Sequence, residues 1–234
     1  ETADEETAEE TTGSESEETA EEGGEESKNP GDSNMTAADL ISGAIENSQD
    51  VKSYEARQTF DMTGPELDST VQTIMTYGEQ DEFKLSVNND GNILTHYVVD
   101  GGHFIYADNQ ISETDGTLEV EGSDYQTVVA GLENYPEGEI AALEEGYSLT
   151  VPIEDQADLE GVLDEAAAAA VESADSITGT LQLYFKGDNT FTGSELEATV
   201  TSADGEYTVH STVDYTNIGN IDVIEKPHNM SDGE

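Results

Sequence analysis

The sequence predicts an α+β domain: one strongly curved antiparallel sheet with helices packed on its concave face. Three observations support this. Apolar residues alternate with polar ones over two separate blocks of the chain, the period of strands with one buried face. The connectors inside each block are two to four residues long and rich in Gly, Asn and Asp, too short for helical crossovers. Helical periodicity is confined to the entry and to a middle insertion. A flat two-layer α+β sandwich is the competing arrangement of the same elements.

The first element is a helix over Thr36–Ser48, capped by Asn34 or Thr36, with Leu40, Ile41, Ala44 and Ile45 on one stripe. Tyr54, Ala56, Gln58, Phe60 and Met62 then alternate with Glu55, Arg57, Thr59 and Asp61, a strand ended by Gly64-Pro65. Strands Val71–Tyr77, Glu82–Val87, Ile93–Val99 and His103–Ala107 follow as a meander. In the middle, Tyr125–Leu132 and Glu139–Glu144 read as short helices broken near Pro136-Glu137-Gly138, and Tyr147–Ile153 as a strand. Gln156–Ser173, with Leu159, Val162, Leu163 and the alanine run 166–170, reads as a further helix. Three long strands finish the domain: Ile177–Lys186, Phe191–Thr201 and Tyr207–Tyr215. Leu181, Leu183, Phe185, Leu196, Ala198, Val200, Val209, Val213 and Tyr215 point inward.

The 234-residue chain carries 55 acidic against 6 basic side chains, a net charge of −49. Arg57 is the sole arginine, so no basic patch exists to bind phosphates, and nucleic acid is excluded as a partner. Residues 1–33 hold 14 acidic residues and Lys28 among Thr, Ser, Gly and Ala. With nothing to bury against its ordering entropy, this segment is expected to be a disordered tether with a reach of roughly 30 Å. The remainder still carries −36. Such self-repulsion opposes a compact state in dilute buffer, but at 1 M salt the Debye length is about 3 Å and the repulsion is screened. The folded part, expected over residues 34–228 with a short disordered tail at 229–234, therefore reads as adapted to high salt. An alkaline habitat or calcium buffering by surface carboxylates is the weaker explanation.

Cysteine is absent, which removes disulfides, thiolate metal sites and thiol nucleophiles. The chain opens at Glu1 without a Met, which reads as a processed mature form, signal peptide removed, and a lipid-carrying Cys directly before Glu1 would anchor it to a membrane. No apolar run reaches the roughly 18 residues that span a bilayer.

Three stretches carry a family resemblance: the entry Leu40–Phe60, running through Val51-Lys52-Ser53-Tyr54 into the first strand; the hairpin Val98–Tyr106; and the close Val213–Pro227. In this order and spacing, after an acidic tether, the sequence resembles the LolA/LppX-like lipoprotein-carrier superfamily over Thr36–Pro227. The resemblance implies a half-barrel whose helices close an apolar cavity for acyl chains or lipoproteins. It also implies an extracytoplasmic, cell-surface address and, for many members, a lipid anchor. On that reading the protein is a halophile surface lipoprotein, a monomer and not an enzyme, and its partners are an apolar lipid-like ligand or an envelope lipoprotein. Phe60, Met62, Phe83, Leu181, Leu183 and Phe185 are the candidate cavity residues. A ligand-free cell-surface interaction or structural module is the alternative function.

Other constellations carry less. A hairpin loop at Gly101-Gly102 sets His103 opposite Asp100 and His96 opposite Ala107, so these two histidines, like His210, read as exposed strand residues, and no metal site or other cofactor is expected. In Asn88-Asn89-Asp90-Gly91-Asn92, Tyr97 stands where a calcium loop of the EF-hand type needs a bidentate glutamate. No nucleophile elbow, phosphate-binding loop or zinc-protease helix occurs, so catalytic residues are expected to be none. Asn34 and Asn229 open possible glycosylation triplets.

The salt reading has a direct test. Circular dichroism from molar salt down to tens of millimolar is expected to show the body unfolding or becoming molten, and an unchanged melting temperature would refute it.

Overall fold

In the computed structural model of the chain, the described residues are 35–225, apart from 66, 81, 109, 116, 117, 119–123, 160–173, 204 and 222. The acidic segment 1–33, both acceptor asparagines and the tail 229–234 lie outside them.

Helix α1 (Ala37–Ser48) begins at a reciprocal cap: Thr36 Oγ1 accepts from the Asp39 N–H at 3.1 Å, and Asp39 Oδ2 accepts from the Thr36 N–H at 3.1 Å. It buries Leu40, Ile41 and Ala44, the stripe read from the sequence. A meander follows: β1 (Tyr54–Thr63), β2 (Asp68–Tyr77), β3 (Phe83–Asn89), β4 (Asn92–Val99), β5 (Gly102–Ala107) and β6 (Gln110–Thr114). Helix α2 (Tyr125–Gly131), capped by Asp124, continues into a 3₁₀ turn at Leu132–Asn134. A second meander comprises β7 (Glu139–Leu143), β8 (Gly146–Ile153), β9 (Ser176–Lys186), β10 (Phe191–Ser202) and β11 (Gly205–Thr216).

All of these strands join one open antiparallel sheet of 11 strands, in the order β6-β5-β4-β3-β2-β1-β11-β10-β9-β8-β7. Each half is a local meander, and the pairing of β1 with β11, Glu55 opposite Thr216 through Thr63 opposite Thr208, makes the halves one surface. The registers place one residue set on a shared inner face: Tyr54, Phe60 and Met62 on β1, Tyr215 and Val209 on β11, Leu196 and Val200 on β10, Leu181 and Leu183 on β9, and Leu149 and Val151 on β8. Leu40, Ile41 and Ala44 of α1 and Tyr125 and Val129 of α2 belong to the same core cluster. The opposite face has its own small core, in which Ile224 and Ile221 of the C-terminal segment meet Val99, Phe104, Tyr97 and Ile111. That segment is held by the Gly219 N–H donating to Ser53 O at 2.7 Å and the Ile221 N–H donating to Ser53 Oγ at 3.1 Å.

Two expectations change, one strand is added, and one expected helix lies mostly outside the described residues. Glu139–Glu144 is a strand edge, β7, and not a helix: Ile140 lies opposite Leu149 and packs on the core, and pairing with β8 overrides the helix propensity of Glu, Ala and Leu. Strand β6 carries little apolar alternation and was not expected. The helix expected over 156–173 is described only as a 3₁₀ turn at Gln156–Leu159; the rest lies outside the described residues. The β4–β5 loop is Asp100-Gly101, with φ of 53° and 74°, and not Gly101-Gly102. Aspartate tolerates the left-handed region, so the turn takes the Asp-Gly pair and Gly102 enters the strand opposite Val99.

In β10 a register shift between Phe191 and Gly193 turns the Phe191 ring onto Phe185 and Tyr215, with centroids 5.5 and 5.7 Å away. Gly193 makes the shift possible: its φ is 155°, and a Cβ there would sit 2.1 Å from the Val213 carbonyl oxygen. Gly193→Ala is expected to cost about 2 kcal/mol or more, read as a lower denaturation midpoint in molar salt.

Candidate functional site

The six expected cavity residues share the inner face. Leu181, Leu183 and Phe185 lie opposite Val151, Leu149 and Tyr147 and are fully buried in the core. Phe83 is buried between Tyr77 on β2 and Val98 on β4. Phe60 and Met62 are half-buried and pack on the edge of the core. Beyond β1 the same face continues through Met75 and Val71 on β2, Leu85 and Val87 on β3, Leu94 and Val98 on β4, and Ile105 on β5. Apart from buried Met75 these side chains are only partly covered, and Leu94 is 38% exposed. One apolar face therefore runs from a closed core to a half-open row.

Where β1, β11 and α2 meet, four tyrosines cluster. Tyr54 stacks on Tyr77 at 5.7 Å and meets Tyr125 and Tyr215 at 5.7 and 5.8 Å. Burial pushes the Tyr54, Tyr125 and Tyr215 phenols well above their ordinary range, so all three stay protonated. Tyr125 Oη donates to the Phe191 carbonyl at 2.7 Å, whereas Tyr54 Oη, fully buried, has no acceptor for its proton among the described residues. Beside them opens a cleft of about 380 Å³ lined by Val51, Lys52, Tyr54, Tyr77, Glu79, Asp124, Tyr125 and Gln126. Sequence reasoning missed this cleft. Tyr54 and Tyr215 are legible as inward residues, but their meeting with Tyr125 depends on the β1–β11 pairing and on where α2 docks.

The histidines differ from expectation. With the loop at Asp100-Gly101, His103 lies opposite Val98 and His96 opposite Ile105, a diagonal pair on the inner face with His96 Nδ1 3.0 Å from His103 Nε2. The two rings touch, and both are half-buried. Burial, and then the neighbouring His103 ring, hold His96 below the ordinary imidazole range.

His210 lies on the other face, with Nε2 3.1 Å from Glu195 Oε1 and Nδ1 3.9 Å from Asp61 Oδ2. Tyr184 Oη donates to Glu195 Oε2 at 3.0 Å. The His210 hydrogen bond, then that from Tyr184, lowers the Glu195 pKa, while burial and then Glu195 push the Tyr184 phenol up to about 12. Among the described residues, Glu195, Glu197 and His210 are the group whose ligand atoms lie within 4.8 Å of one another, a donor set able to hold a divalent ion. Also among the described residues, no helix is long and apolar enough to cross a membrane.

No family model and no curated protein matches the chain. Among solved structures it is similar to LprF from Mycobacterium bovis, at 9% identity and a TM-score of 0.47, over 82% of this chain and 96% of that one. It is also similar to a LolA superfamily protein from Nitrosomonas europaea, at 8% identity and a TM-score of 0.25, over the same shares of each chain. A DUF1329 family protein from Desulfovibrio piger matches at 8% identity and a TM-score of 0.24, over 77% of this chain and 90% of that one.

The His96–His103 contact carries a pH dependence. Because the His96 pKa is lowered on folding, the unfolded chain binds the proton more readily, so this contribution is full above about pH 6.5 and is lost as the pH falls below it. His96→Gln is expected to flatten the fall in melting temperature between pH 7.5 and 5 relative to wild type.

Proposed function

We propose that the protein is an extracytoplasmic carrier or sensor of an apolar ligand with a lipid or acyl chain, held on the inner face of the sheet. The observation that supports this is the continuity of the apolar face: fully buried at Leu181 and Leu183, half-buried at Phe60 and Met62, and 38% exposed at Leu94. A protein with 55 acidic residues has ample carboxylates for that row, yet it places Leu, Val and Ile there, interrupted by Thr73 and the His96–His103 pair and by no charged carboxylate from Val71 to Ile105. In this reading the sheet is a curved half-barrel with α1 and α2 on its concave side. Phe60, Met62 and Phe83 line the seat of the chain, and Leu181, Leu183 and Phe185 form its floor. The high-salt habitat and a lipid anchor ahead of Glu1 belong to the same proposal, and the ligand is bound without chemical change.

A ligand-free surface module is the second reading. Ile93 favours it: 58% exposed, it lies on the other face, where an acyl chain held on the inner face would not cover it.

Leu94→Asp separates the two. Its side chain is already exposed enough for the fold to tolerate a carboxylate, but a charge in the row opposes an acyl chain. In molar salt, wild type is expected to bind a fluorescent fatty acid and the variant to lose at least about tenfold in affinity, equivalent to about 1.4 kcal/mol. Absence of binding by wild type, together with no lipid on native mass spectrometry, would favour the surface module.

A further inference from the structure

Among the described residues, the Tyr54 hydroxyl is a buried donor without an acceptor, whereas Tyr125 of the same cluster donates to the Phe191 carbonyl. Tyr54 is 2% exposed, and among the described residues its Oη has no acceptor for its proton. The nearby Tyr125 N–H is itself a donor and cannot receive the phenol proton. An unmet hydroxyl in this position destabilises the fold, and phenylalanine would fill the same space without that penalty. The ring also forms part of the wall of the cleft, whose rim is built from the exposed side chains of Lys52, Glu79 and Gln126.

The other polar groups of the cleft are largely committed. Asp124 accepts from the Thr127 N–H at 2.9 Å and from Thr127 Oγ1 at 2.6 Å, and the Gln126 amide donates to the carbonyls of Gln49 and Val51 at 3.0 Å each. What the cleft asks for is therefore one acceptor, at Tyr54. The carboxylates of Asp124 and Glu79 disfavour an anion there, and Lys52 is the one cation of the lining. The cleft also connects with the apolar row through the register: Tyr54 lies opposite Tyr77, Tyr77 opposite Phe83, and Phe83 opposite Val98 on a single face.

We propose that the cleft at Tyr54 seats the polar end of the ligand, an uncharged amphiphile whose carbonyl or ether oxygen accepts the Tyr54 hydroxyl while its chain extends along the Phe83–Val98 row. The proposal rests on the apolar-carrier reading and adds to it the class of head group and the residue that selects it.

The test is Tyr54→Phe, with Tyr125→Phe as its contrast, in molar salt. Without ligand, Tyr54→Phe is expected to melt above wild type and Tyr125→Phe, which loses the bond to Phe191, below it. Displacement of a bound fluorescent fatty acid is then measured with methyl decanoate, sodium decanoate and undecane. Wild type is expected to bind the ester about tenfold more tightly than undecane and more tightly than decanoate. Tyr54→Phe is expected to bring ester and undecane within about twofold by weakening the ester alone. A Tyr54→Phe melting point at or below wild type, or an ester preference that survives the substitution, overturns this inference and leaves the carrier reading standing. Failure of all three compounds to bind wild type overturns the carrier reading and this inference with it.

Discussion

The pairing of the first strand with the last is the constraint on which the rest of the structure depends. β1 and β11 come together only after the whole chain between them has been made, and their register decides which side chains of two separate meanders share a face. Phe60 opposite Ser211 and Met62 opposite Val209 continue the inner surface of the second meander into the first. A slip of β1 by one residue would turn Arg57 and Asp61 inward and Tyr54, Phe60 and Met62 out to solvent. Non-local pairing of this kind carries a loop-closure cost before any contact rewards it.

Around that seam the two faces divide the chemistry. On the outer face, Asp61, Glu195, Glu197 and Asp214 stand on three adjacent strands, where the register sets His210 opposite Asp61 and Glu197 and Arg57 opposite Asp214, so these carboxylates do not face one another directly across the pairing. Mobile cations screen the remaining repulsion between carboxylates on such a surface. On the inner face the core draws its strength from Leu and Phe burial under α1 and α2, and the cover thins toward β3, β4 and β5. The same alternation that builds a core at one end leaves an apolar row at the other. This gradient of cover along one face is the physical basis of the carrier reading.

The strand periods, the short Asp/Asn/Gly connectors and the absence of any basic patch are local properties, so the sequence alone determined two antiparallel meanders, the entry helix and the inward set from Leu181 to Tyr215. It could not determine β7, because Glu139–Leu143 has helical propensity and becomes a strand only when β8 offers a partner. Nor could it choose between two placements of the turn in Asp100-Gly101-Gly102. Gly102 adopts extended backbone opposite Val99, and that choice alone brought His96 against His103. The tyrosine cluster and its unmet Tyr54 hydroxyl were likewise decided in three dimensions, where β1, β11 and α2 converge. Side-chain alternation is encoded residue by residue, whereas register and docking depend on partners far away in the chain.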